Sequence, residues 1–172
     1  DQMGTPFALW EDDPAGFVEV ALGETIWEAQ RRIAVSLRDN ERTMVPSSHS
    51  CGKTHLVARL VAWWVMVHPP GTSQVITTGL SWDHVRGQLW PHIRYVHERY
   101  RLPGVCLQTE WQIDDRFVAT GKSPAPQNEA AFSGIHDPYV LAVVDEAGAF
   151  PSNLGMSLES VMSSGHPRLL AI

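Results

Sequence analysis

The sequence has little with which to staple itself together or cross a bilayer. It holds two cysteines, Cys51 and Cys106, and the first sits in a loop ending Gly-Lys-Thr. A structural disulfide is therefore not expected, and a reducing compartment is. The longest apolar run, Leu60 to Val67, falls far short of the roughly 20 residues a membrane helix needs. The opening, DQMGTPFALWEDDPAG, lacks the basic stretch of a secretory signal. Basic residues are outnumbered, 13 against 19 acidic ones, for a net charge of −6. A broad DNA-gripping face is usually basic, so any nucleic-acid contact is expected to be local, transient or shared with another domain. The eight histidines show no H-x-x-x-H or H-E-x-x-H pair on a predicted helix, and no cysteine pair supports them. A zinc site is not expected.

What is present suits a globular domain. Hydrophobic residues make up 44% and charged residues 19%, and 172 residues allow one domain with a full core. The seven tryptophans fall at helical or strand spacing and read as core rather than as base-stacking platforms. There are no internal repeats.

The stretch Thr43 to Thr54, TMVPSSHSCGKT, organises the rest. An apolar lead, Met44-Val45-Pro46, enters a loop of small residues that closes on Gly52-Lys53-Thr54, and an amphipathic run from His55 to Val67 comes next, with Leu56, Leu60, Val61, Trp64 and Val67 expected to face inward. Strand, loop and helix in that order are the context of a phosphate-binding P-loop. A helix N-terminus leaves backbone N–H groups unpaired and adds partial positive charge. Ser47, Ser48, His49, Ser50, Cys51 and Gly52 would wrap the phosphates, Lys53 would reach the β- and γ-phosphates, and Thr54 would hold Mg²⁺. The first glycine of the usual motif is Ser47 here, which tolerates positive φ less readily. A second motif lies downstream. Val140 to Val144 form an unbroken apolar run, ending in Asp145 and Glu146. This reads as a buried parallel strand ending at the carboxyl edge of a sheet, where ligands bind. Asp145 would hold Mg²⁺ through its water shell. Glu146, ionised at neutral pH, would polarise the attacking water.

The remaining pattern is α/β. Residues 1–23 are expected to form an N-terminal arm and 24–172 the ATPase core, with Asp1 to Phe17 an arm or loop. Glu24 to Leu37 has an amphipathic helical period, with Ile26, Ala29, Ile33 and Leu37 on one face. Gln30 on this helix could donate and accept toward adenine. Strands are predicted at Arg42–Pro46, Ser73–Thr78, Val105–Ile113, Arg116–Gly121, the Asp145 strand and Arg168–Ile172. Helices are predicted at Lys53–His68, Trp82–Arg99 and Asn153–Ser163, the second kinked or split at Pro91. Asp114-Asp115 marks a hairpin, and Lys122 to Asn128 a surface loop. Helices alternating with strands give an α/β fold with a mainly parallel central sheet flanked by helices.

Together these stretches resemble the N-terminal ATPase domain of the large subunit of tailed-phage terminases. Trp27-Glu28-x-Gln30 resembles that family's adenine-binding element, and Val45 to Thr54 its divergent Walker A, in which the first glycine is often absent. Thr77-Thr78-Gly79 and then Val85-x-x-x-Leu89-Trp90 resemble the next strand and helix, and Phe132 to His136 the approach to Walker B at Val140 to Ala147. The resemblance covers about Thr25 to Ile172. It implies the RecA-like/ASCE form of the P-loop NTPase fold, MgATP as ligand, double-stranded DNA, the portal and the small terminase subunit as partners, a homo-oligomeric ring, and the cytoplasm of an infected bacterial host. Two departures stand out. The loop lacks the arginine that many terminases carry there, leaving Arg86, Arg94, Arg99 and Arg101 as candidate fingers for a neighbouring subunit. The chain also ends at Ile172, before the family's coupling motif and nuclease domain, so it is read as a fragment. Rival readings are another P-loop motor of helicase or recombinase type, a small-molecule kinase, and a nucleotide-binding scaffold without turnover. A helicase usually supplies a second RecA-like domain, and Glu146 directly after Asp145 suits water rather than a kinase acceptor.

Overall fold

Five consecutive apolar residues, Val140 to Val144, leave no polar side to turn to water, and all five are buried within a sheet. The computed structural model of the chain describes residues 5–46, 52–124, 132, 134–149 and 158–172. Among these, seven strands form one sheet: β1 (Arg42–Met44), β2 (Ser73–Gly79), β3 (Val105–Cys106), β4 (Glu110–Ile113), β5 (Arg116–Gly121), β6 (Tyr139–Asp145) and β7 (His166–Ala171). Their order is β1-β7-β6-β2-β5-β4-β3. The first five in that order are parallel, and β4 and β3 extend the edge antiparallel. Side chains alternate across a strand. Val75, Leu141 and Val143 accordingly face one core, while Ile76, Val140, Ala142 and Val144 face another with Phe132, Leu158 and Val161. Odd-numbered Asp145 therefore falls on the face of Leu141 and Val143.

Three helices cover that face: α1 (Glu28–Asp39), α2 (Lys53–Val67) and α3, whose main segment is Trp90–Arg99. Before that segment come an α-turn, Trp82–His84, and a π segment, Val85–Leu89. The split predicted at Pro91 thus takes the form of a π segment, with Pro91 in the first turn of the Trp90–Arg99 helix. Trp90 N–H closes the π segment on the Val85 carbonyl, and the missing N–H of Pro91 interrupts the ladder just after it. Trp90 is buried and its indole donates to Thr77 Oγ1 at 2.9 Å, fixing α3 over β2.

Helix α2 differs from expectation. Every residue from Leu56 to Val67 is buried, so no face is turned to solvent. The cover comes from the segment read as an arm. Its described part forms short turns at Ala8–Trp10, Pro14–Gly16 and Phe17–Ala21, with Phe17 and Val18 in the core. The Trp63 indole donates to the Trp10 carbonyl at 2.8 Å. A helix apolar all round must be buried all round, and Ala62-Trp63-Trp64-Val65-Met66-Val67 is such a run.

The single strand expected over Val105–Ile113 is instead two, broken at 107–109, where Leu107 N–H turns back to the Glu110 carbonyl at 2.7 Å. The Asp114-Asp115 hairpin is present, with φ of +50° and +61°. Two positive φ values define a type I′ turn, which favours Gly second. Asp115→Gly removes the left-handed penalty of roughly 1–2 kcal/mol against glycine's entropic cost of roughly 0.5–1 kcal/mol, so a net gain of about 0.5–1 kcal/mol is expected, read as a higher urea midpoint at unchanged slope. Of the helix expected over 153–163, a turn at 158–161 is described. Residues 153–157, and 125–128 of the expected loop, lie outside the described residues.

Candidate functional site

Strand register brings the end of β1, which precedes the first motif, to the same edge as Asp145-Glu146. Met44 of β1 pairs with Ala171 of β7, which pairs with Val144 of β6. The alignment continues past the strands: Val45 N–H donates to the Ala171 carbonyl and Ile172 N–H to that of Val144, both at 2.9 Å, and Ala147 N–H to that of Ile172 at 2.8 Å. The segment leaving β1 and the carboxylates leaving β6 therefore emerge together, two strand spacings or about 10 Å apart.

Gly52 caps α2 with φ of +64°. This is the left-handed region that glycine enters without penalty. A Cβ there would also lie 3.1 Å from Gln30 Nε2. Lys53 and Thr54 are the first two residues of α2, both half-buried. Gln30 is buried against this turn: Nε2 donates to the Gly52 carbonyl at 3.4 Å, and Oε1 accepts from Trp27 N–H at 3.0 Å. Its amide thus ties α1 to the start of α2. Ser47, Ser48, His49, Ser50 and Cys51 lie outside the described residues.

On the other side of the edge, Asp145 is buried and Glu146 half-buried. Burial holds the Asp145 carboxyl above its ordinary range, and the Glu146 charge adds to that; His84, close by, pulls the other way. A carboxylate whose ionised form is penalised by burial gains from a cation beside it. Glu146 has φ of +58°, a conformation that non-glycine residues hold at a cost and that clusters at functional sites. His84 Nε2 lies 3.0 Å from Asp145 Oδ2. His84, Asp145 and Glu146 each offer one ligand atom within 4.8 Å of the others. Sequence patterns did not single out His84. Its approach to Asp145 depends on β2 pairing with β6, and no short-range spacing signals that.

The four candidate arginines separate. β2 ends at this edge and α3 runs back from it, so Arg99 and Arg101 lie a helix length away, about 25 Å at 1.5 Å per residue. Arg94 donates to the Gln108 carbonyl at 2.7 Å. Arg86, two residues from His84, is exposed and pairs with Asp83 at 2.9 Å.

The helix start at Gly52-Lys53-Thr54, and buried Asp145 with half-buried Glu146 at the carboxyl edge of a parallel sheet, are groups suited to a phosphate chain and a divalent cation. No protein-family model matches the sequence. The chain is 23% identical over 176 residues to a probable terminase large subunit of Enterobacteria phage P7, covering 96% of this chain and 35% of that protein. Among solved structures, the HK97 bacteriophage large terminase matches with a TM-score of 0.67 at 14% identity, over 94% of this chain and 37% of that one. A variant of the Thermus phage P74-26 large terminase ATPase domain matches at 0.66 and 15% identity, over 92% and 69%. The chain resembles the ATPase region of the large terminase subunit. Its fold is that of the large terminase ATPase domains it matches, a mostly parallel sheet flanked by helices. The terminase-like region corresponds to only part of the P7 and HK97 proteins, 35% and 37% of their lengths. No helix among the described residues is long and apolar enough to cross a membrane.

Proposed function

We propose that the chain is an ATP-binding and hydrolysing motor domain, serving in a larger protein that packages viral DNA as large terminases do. The observation that supports this is the register that brings the end of β1, which leads toward the Gly52-Lys53-Thr54 turn, to the same sheet edge as the Asp145-Glu146 pair. The 23% sequence identity to a phage terminase favours packaging over other P-loop motors. In this reading the 47–52 loop and Lys53 hold the phosphates, and Gln30 contributes at the adenine. The donors at the edge include the Thr54 hydroxyl and the Asp145 carboxylate, hard oxygen ligands that suit Mg²⁺. Bound there, Mg²⁺ would neutralise phosphate charge. Glu146 orients a water for in-line attack and takes its proton. Arg86, the candidate finger at this edge, would stabilise the transition state in a neighbouring subunit, so turnover would depend on a homo-oligomeric ring. Double-stranded DNA, the portal and the small terminase subunit are the partners this predicts, in the infected host's cytoplasm.

Calorimetry of MgATP binding tests the reading. The wild-type chain should bind, and Lys53→Ala should bind about 100-fold more weakly, the loss of a charge-assisted contact to phosphate. If the wild type fails to bind at millimolar nucleotide, or Lys53→Ala binds equally well, a scaffold without turnover replaces the motor.

A further inference from the structure

We infer that His84 is a positioning residue for Asp145: it clamps one carboxylate oxygen, so the other presents a fixed lone pair to the divalent cation that accompanies nucleotide. This rests on the motor reading above. Three observations carry it. First, His84 Nε2 is 3.0 Å from Asp145 Oδ2, and the two side chains are 22% and 5% exposed, so little water competes for the contact. Second, His84 is itself held in place. Ser81 Oγ accepts from His84 N–H at 3.1 Å, and the adjoining Val85 is in the core. Third, the approach is made possible by a missing side chain. Gly79 pairs with Asp145 across β2 and β6, and a Cβ on it would sit 2.9 Å from the Asp145 carbonyl oxygen and 3.3 Å from Val85 Cγ2. Any larger residue would push the His84 turn off the end of β6. The clamp therefore needs the backbone of β2, the turn after it and the end of β6 to meet at one point, and all three do.

Partners that orient a metal-ligating carboxylate typically matter 10- to 100-fold for metal affinity. The predicted signature is therefore confined to the metal. Binding of ADP to the intact chain would be measured by calorimetry in EDTA and in Mg²⁺, together with the manganese EPR spectrum of the Mn²⁺–ADP complex. His84→Ala should leave affinity in EDTA within about twofold, cut the Mg²⁺ enhancement about tenfold, and change the Mn²⁺ spectrum. His84→Gln keeps an N–H donor within reach and should recover most of the enhancement. In an Asp145→Asn background His84→Ala should have no further effect, as a residue acting through Asp145 requires. An unchanged Mg²⁺ enhancement in His84→Ala overturns the inference. So does an equal loss in EDTA and Mg²⁺, or an undiminished effect in the Asp145→Asn background. If His84→Ala melts early, the Gln variant carries the test: an enhancement lost despite a wild-type melting temperature refutes the clamp. Failure of the motor reading looks different, since the wild type would then bind no nucleotide in either condition.

Discussion

Glu146→Gln should lower ATP turnover by about 10²- to 10⁴-fold, the usual worth of a positioned general base, while changing nucleotide affinity only slightly. Glutamine keeps the shape and can still accept a hydrogen bond, but it cannot take a proton from water. The position is held from both sides. Glu146 directly succeeds the buried β6, and Ala147 N–H donates to the Ile172 carbonyl at 2.8 Å. With φ of +58°, the backbone is committed to one unusual conformation, and its side chain leaves the sheet in a direction a relaxed strand end would not give. Single-turnover phosphate release, paired with nucleotide titration, separates chemistry from binding. Turnover within about threefold of wild type would show that Glu146 is not the base.

The second large effect concerns stability. Arg59, on the second turn of α2, is 1% exposed. Its guanidinium grips Glu24 through both carboxylate oxygens, at 2.8 and 3.0 Å, and donates to the His55 carbonyl at 3.2 Å. Tyr100, at the end of α3, donates its hydroxyl to the same carboxylate at 2.5 Å. Glu24→Ala would leave the arginine buried without its counter-charge. The expected cost is about 3–5 kcal/mol, on the order of 10 °C in Tm for a chain of this size. The pH dependence comes from Glu24. Burial pushes its carboxyl up, but hydrogen bonds from Arg59 and Tyr100 and the nearby positive charges outweigh that, leaving it below the ordinary 4.5. A depressed carboxyl contributes its stability above the unfolded value and loses it as pH falls through the folded one. The gap between wild type and Glu24→Ala in urea unfolding should therefore be full at about pH 7 and shrink below the ordinary carboxylate range. A gap under about 1 kcal/mol at neutral pH would mean that water already reaches the pair.

Local periodicity made much of this fold readable. The apolar run of β6, the turn at Asp114-Asp115 and the helical spacing from Trp82 to Arg99 each declare themselves within a few residues, and each is present. The Gly52-Lys53-Thr54 helix start and the Asp145-Glu146 strand end were legible for the same reason. What escaped depends on pairing distant segments. The turns between Ala8 and Ala21 carry acids, a proline and a glycine that read as a loose arm, and the amphipathic reading of α2 asked for no cover on its outer side. His84 is one histidine among eight, and its contact with Asp145 spans 61 positions. The break between β3 and β4 lies in a stretch whose composition suits a strand, and a backbone reversal at 107–109 overrides it.

The burial of α2 on every side has a mechanical meaning. A close-packed interior is stiff, and this helix is held by Trp10 through Trp63, by Glu24 through Arg59 and by the sheet beneath. These contacts, through its middle turns, oppose sliding along its axis and rolling, and make it a strut with the Gly52 turn at its tip. A load arriving at that tip is passed, with little local give, to the sheet and to the segment before α1. In the motor reading proposed above, any motion that accompanies nucleotide exchange would then be a tilt of the whole domain or a rearrangement of the loops around the helix.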